Sequence, residues 1–247
     1  MIQKNPIMGK TSITASQLID FVKKRNPNFN NKIAEAFINI APIYGIRGDV
    51  AFCQAIHETD WFRFTGDVNP TQNNFAGIGA VGGGARGNAF STVEEGVRAQ
   101  IQHLFAYATT VNLPQGESLV DPRFNLVKRG SAPYWEDLAG KWAYPGYNTR
   151  KFKSLQQAFA AGESYGQLII NIHERLIAEE GGNVVPNNQG YPEGTEQWKI
   201  NAVEWLYENG FLTSDEWKQK IEEPLPLWAQ ATVYNRLIRE LKGGGSS

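Results

Sequence analysis

One carboxylate stands out by its surroundings. The stretch AIHETDWFRF, Ala55 to Phe64, places Glu58 inside a run otherwise suited to a core helix. On a helix, side chains three and four positions apart are neighbours, so Glu58 shares a side with Ala51, Ala55, Trp61 and Phe62. The alanines leave room beside the carboxyl, and the aromatic rings would wall it with apolar surface. Poor solvation favours the protonated form, and a carboxyl that keeps its proton near neutral pH suits a general acid. The next segment, NPTQNNFAGIGA from Asn69 to Ala80, adds the amides Asn73 and Asn74, followed by Phe75 and a backbone opened by Gly77 and Gly79. Amides carry donor and acceptor together and match sugar hydroxyls and acetamido groups, and glycine lets a ligand approach the backbone closely. Taken alone, each segment has a plainer account: a solvent-facing helical glutamate, and an ordinary Asx turn.

Other chemistries find little support. His57, His103 and His173 are far apart, and HET is not the His-Glu-x-x-His pattern of a zinc protease. GAVGGGARG lacks the Gly-Lys-[Ser/Thr] ending of a phosphate loop. No Gly-x-Ser-x-Gly elbow occurs. No metal and no cofactor are expected. Cys53 is the single cysteine and sits in an apolar helical pattern, which makes it a buried thiol. The 24 basic and 25 acidic side chains nearly cancel, so there is no electrostatic footprint for nucleic acid, and a neutral substrate is easier to reconcile with the balance. No stretch approaches the roughly 20 apolar residues of a membrane span. MIQKNPIMGKTSITASQ lacks the apolar core of a secretory signal; the expectation is either a mature chain or a protein that leaves the cell by another route.

The elements that must hold these residues read as helices. TASQ, Thr14 to Gln17, is a capping box opening a helix through Lys24. A second helix is expected over Lys32 to Tyr44, and a third, capped by Asp49, from Val50 to about Phe64. GIGAVGGGARGNAFS holds too many glycines for a helix and reads as a short hairpin or flap. Ser91 or Thr92 caps the next helix, with Glu94 and Glu95 in its first turn. A short helix around YWEDLAG and helices over Thr149 to Ala160 and Ser164 to Glu180 complete a first domain, 1–182. Gly, Pro and Asn crowd 183–193, which reads as a linker. Residues 194–242 form a small helical module with Trp198, Trp205, Trp217 and Trp228 in its core, and 243–247 a flexible tail. From Glu193 onward the chain carries nine acids and six bases.

AIHETDW and NNFAGIGA, together with the later GKWAYPGYNTRKF and the opening NPIMGKTSITASQLIDFVKKRNPNF, resemble the bacterial glucosaminidase family, glycoside hydrolase family 73, over about Asn5 to Glu180. The order around Ala76 and Gly77 departs from the family's Phe-Gly-Ile, and Gly79 replaces a common lysine. The resemblance implies a mainly α, lysozyme-like catalytic domain with a small flap and an endo-β-N-acetylglucosaminidase of the phage endolysin or autolysin type, acting on peptidoglycan at the cell wall or outside the cell and, as an endolysin, held in the cytoplasm until release. It places Glu58 on the general acid, Tyr147 on the tyrosine near the acetamido group, and Asn74 and Phe75 in the sugar-binding segment. Trp61, Asn73, Trp142 and Tyr144 are further candidates for sugar contact. A second carboxylate, where the family has one, falls among Asp67, Glu94 and Glu95. Without one, the substrate's own acetamido oxygen can attack, giving retention; with one across a roughly 6.5–9.5 Å gap, water attacks with inversion. Rival readings are a muramidase or lytic transglycosylase using one acid glutamate, and a non-catalytic wall-binding protein. The helical C-terminal module loosely resembles wall-attachment segments and is expected to bind the wall or drive self-association.

Overall fold

The computed structural model describes residues 4–66, 68–80, 87–180, 190–192, 194–195, 197–208 and 211–243. The chain divides into two compact units, Met1–Asn183 and Val184–Ser247. Helices dominate both, and no strand occurs among the described residues, which bears out the mainly α expectation.

In the first unit, helix α1 (Ala15–Lys23) opens on the expected capping box: Thr14 accepts from the Gln17 amide, and the Gln17 side chain accepts from the Thr14 amide. Helix α2 (Asn31–Ile40) is capped by Asn30 and stops earlier than the sequence pattern indicated. Pro42 has no amide hydrogen to continue the α ladder, so Ala41–Tyr44 tightens into a 3-10 turn. Helix α3 (Gly48–Thr59) carries Glu58 and packs between α2 and helix α6 (Tyr165–Glu180). Helix α4 (Val93–Ala108), capped by Thr92, lies against α2. Phe29, Phe37, Phe52 and Phe62 meet edge-to-face or tilted at 4.7–5.8 Å and form the centre of the core. Cys53 is buried in that core, as expected.

Two expectations about α3 are corrected. Asp49 does not cap it; Arg47 stands at the cap position, and Asp49 lies in the first turn, fully buried. Its Oδ2 accepts from the backbone and hydroxyl of Ser12 and meets Nε2 of His173 at 3.1 Å. Burial pushes this carboxyl up, but His173, Arg47 and the Ser12 amide outweigh burial and hold it below the usual range. The knot fastens α3 to α6, the two helices whose later residues build the site. The helix also ends five residues early. Asp60, Trp61, Phe62 and Phe64 take φ of 50°, 61°, 57° and 53°, a left-handed path that no α-helix follows. The detour is over-determined: Thr59 Oγ1 accepts from the Phe62 amide, Asn26 donates to the carbonyls of Trp61 and Phe62, and Phe62 enters the core.

The sequence also over-extended the helix before α6. Its observed length is α5 (Leu155–Ala160), begun by the Ser154 cap; the short helix expected around YWEDLAG is the 3-10 helix Trp135–Leu138. The expected flap has its centre, 81–86, outside the described residues. Its edges are joined by the Asn88 amide donating to the Ile78 carbonyl at 2.8 Å.

The second unit comprises α7 (Gln197–Glu208), α8 (Glu216–Gln219) and α9 (Leu227–Gly243) around Phe211, Leu212 and Val233. Trp217 packs against this cluster as expected. Trp228 does not enter the core; it is exposed, 5.9 Å from the Trp217 ring. The side chains of Trp198 and Trp205, and residues 244–247 of the expected tail, lie outside the described residues.

Candidate active site

Glu58 sits one residue before the end of α3, half-buried. Its Oε1 accepts from the hydroxyl of Tyr165, in the first turn of α6, and the side chain of Trp142 is near enough to pull the carboxyl's pKa down. Gly77 comes close on the third side: a Cβ there would stand 3.8 Å from Oε2. Gly77 has φ of 64°, a conformation glycine adopts without strain. Burial raises the Glu58 pKa to about 7, against the pull of the Tyr165 hydrogen bond and of Trp142. No counter-charge enters that balance.

Behind Tyr165 runs a buried polar chain with a fixed direction. Gln100 donates to the backbone carbonyl of Ala51 at 3.0 Å and to Gln54 Oε1 at 2.9 Å. A carbonyl oxygen only accepts, so Gln100 must present its NH₂ there. Gln54 must then present oxygen to Gln100 and its own NH₂ to Tyr165, at 2.9 Å. The Tyr165 oxygen accepts that bond, and its single proton is left for Glu58. Consequently Oε1 is always an acceptor, and the dissociable proton of Glu58 belongs on Oε2, the oxygen beside Gly77. The arrangement is a weakly acidic proton donor of fixed orientation.

A cleft of about 510 Å³ adjoins it, walled by Ala76 to Ala80, by His103 and Tyr107 of α4, and by Trp142. Gly77 and Trp142 belong both to this wall and to the surroundings of Glu58.

The other residues singled out in the sequence are distributed as follows. Trp142 lines the cleft; Tyr144 is 91% exposed and Tyr147 half-buried, flanking Pro145, whose peptide bond to Tyr144 is cis. Trp61 does not wall Glu58. Its ring lies 5.2 Å from Phe21 and 4.3 Å from the Arg25 guanidinium, because the left-handed turn carries it away. Asn74 is fully buried, with its amide spent inside the loop on Ile78 and Asn88 at 2.9 Å each. Asn73 donates to the Phe90 carbonyl, and Phe75 is a core ring. The Asn-Asn-Phe segment thus braces the loop, Ala76 to Ala80, that lines the cleft. Glu95 accepts from the Ser91 amide at 2.8 Å, Glu94 is exposed in the same first turn, and Asp67 lies outside the described residues. Sequence reasoning missed Tyr165, Gln54 and Gln100; the only local hint was a tyrosine just after a serine able to start a helix.

The raised pKa has a thermodynamic consequence. The folded state holds the Glu58 proton more tightly than the unfolded chain, so the associated stability is full below about 4.5 and declines as pH rises to about 7. Glu58→Gln removes that penalty. Its unfolding free energy is expected to match wild type at pH 4 and exceed it by about 2–3 kcal/mol at pH 8, as read by urea unfolding at both pH values.

The sequence profile of the family described as "Glucosaminidase: Mannosyl-glycoprotein endo-beta-N-acetylglucosaminidase" matches residues 34–225. A protein of Borreliella burgdorferi bearing the name "Uncharacterized protein" is 41% identical over 151 residues, covering 60% of this chain and 72% of that one. No solved structure matches the chain.

Proposed function

The chain belongs to the glucosaminidase family and is a glycoside hydrolase acting on peptidoglycan; from that premise we propose that Glu58 is its general acid and that the bond cut lies on the reducing side of N-acetylglucosamine. One observation carries this reading: a half-buried carboxyl raised to about 7, with no counter-charge, at the edge of a cleft of about 510 Å³. In the proposed reaction Oε2 gives its proton to the departing glycosidic oxygen. The 2-acetamido oxygen of the same sugar attacks the anomeric carbon, Glu58 then deprotonates the incoming water, and the configuration is retained. Substrate assistance is favoured because Glu95 is committed to the Ser91 amide and, among the described residues, no second carboxylate is bonded to Glu58 or to its partner Tyr165. Tyr165 and Trp142 stabilise the carboxylate that forms after proton transfer. Tyr147, on the same segment as Trp142, is proposed to hold the acetamido group. The second unit is proposed as a wall-binding or self-association module, and the whole protein as bacteriolytic.

Mass spectrometry of digested peptidoglycan tests the bond assignment. A new reducing N-acetylglucosamine end is expected. A reducing muramic acid or a 1,6-anhydro end would instead identify a muramidase or lytic transglycosylase.

A further inference from the structure

The cleft beside Glu58 has a second chemistry, unlike the chain as a whole. Arg123, Lys128, Lys141 and His103 line it and, among the described residues, no carboxylate does, although the protein's net charge is −1. These groups stand on a braced frame. Gln102 of α4 accepts from the amides of Val120 and Asp121 at 2.8 and 3.0 Å, and Asp121 Oδ1 accepts from the Arg123 amide at 2.9 Å. The Gly130 and Ala132 amides donate to the carbonyls of Ala106 and Tyr107, fixing the loop that carries Lys128. The Lys141 ammonium donates to the Ser131 carbonyl. His103 is 6% exposed; its Nδ1 lies 2.7 Å from Asp121 Oδ2, and its ring stands edge-on to Trp142 at 4.7 Å. Leu126 and Val127 add apolar surface between the cations. With His103 left to its Asp121 partner, Arg123, Lys128 and Lys141 give the cleft wall one sign of charge, and such a cleft concentrates the opposite sign.

We propose that this cleft is a subsite for a carboxylate-bearing substituent of the glycan, gripped by Arg123 and Lys128 with its apolar part against Leu126 and Val127. The inference rests on the reading of Glu58 as the acid, since Trp142 joins the two places and would set the substituted sugar beside that carboxyl. Two parts of peptidoglycan present such a group: the lactyl ether of muramic acid when it bears no peptide, and the stem peptide when it does.

The test is calorimetric binding of soluble glycan strands to the full-length protein carrying Glu58→Gln, so that no strand is cut during the titration. Three preparations are compared: strands with stem peptides, the same strands with their carboxyls converted to methylamides, and strands freed of peptide by an amidase, which keep the lactyl carboxylate. Methylamidation is expected to weaken binding about tenfold. Arg123→Gln with Lys128→Gln should weaken binding of the native strands equally and add nothing on the methylamidated ones, while Arg123→Lys with Lys128→Arg should restore it. On strands with stem peptides the charge sensitivity reports the stem peptide's carboxylates; the same sensitivity kept on peptide-free strands shows that the lactyl carboxylate is gripped as well, and its loss there assigns the stem peptide alone. The proposal is overturned if the double glutamine variant binds native strands as tightly as its parent, or weakens native and methylamidated strands alike. Failure of the wild type to cut any strand would refute the Glu58 reading separately, because binding is measured without turnover.

Discussion

Glu58→Gln is expected to lower kcat on peptidoglycan at least about 10³-fold, within the range a positioned general acid contributes. Glutamine keeps the shape of the side chain and can still accept from Tyr165, but it has no proton to give. The variant should fold at least as well as wild type near neutral pH, since it removes a half-buried ionisable group whose pKa stands at about 7. Loss of activity beside undiminished stability separates chemistry from unfolding. A Glu58→Gln protein that solubilises walls as fast as wild type would mean that the acid lies elsewhere, and one that binds walls in an equally inactive wild type would favour a non-catalytic wall-binding protein.

The second large effect belongs to Tyr165→Phe. The hydroxyl stabilises the ionised form of Glu58 and therefore lowers its pKa. Without it that pKa rises, so the alkaline limb of kcat/KM should move up by about one pH unit, the worth of one hydrogen bond to a charged group. The rate on the plateau should also fall about 10²-fold, because Glu58 becomes a weaker acid and loses the contact that reserves Oε2 for its proton. Gln54→Met should give a smaller shift of the same sign, since the Tyr165 proton is then no longer forced towards Glu58. The facing titratable groups are few: His57 meets the Tyr165 ring edge-on at 5.5 Å, and Tyr107 acts on Tyr165 from α4. Burial keeps the His57 pKa below its usual value, so His57 is uncharged where the limb is read. A purely structural tyrosine would change Tm and leave the limb in place.

Much of the site's frame could be read from residue order. Thr14 and Gln17 announce α1 because a capping box is a local hydrogen-bond pattern, and Glu58 attracts notice as a lone acid among apolar neighbours. What stayed hidden was non-local or conformational. Gln54, Gln100 and Tyr165 converge from positions 46 and 111 residues apart, and glutamine in a helix gives no sign that its amide is buried. The expected wall of Trp61 and Phe62 failed because four non-glycine residues after Thr59 turn left-handed, an outcome imposed by Asn26 and the phenylalanine core. The wall exists, but Trp142 and the backbone at Gly77 supply it. Asn74 was read as a sugar ligand from its chemistry alone, whereas complete burial commits that chemistry to the loop.

The most direct test of a proton donor kept in poorly solvated surroundings is the pH dependence of kcat/KM on peptidoglycan, which reports ionisations of the free enzyme. The account predicts a rate that falls as pH rises through about 7, following deprotonation of Glu58. A rate already lost by pH 5, or one unchanged from pH 6 to pH 8.5, would contradict it.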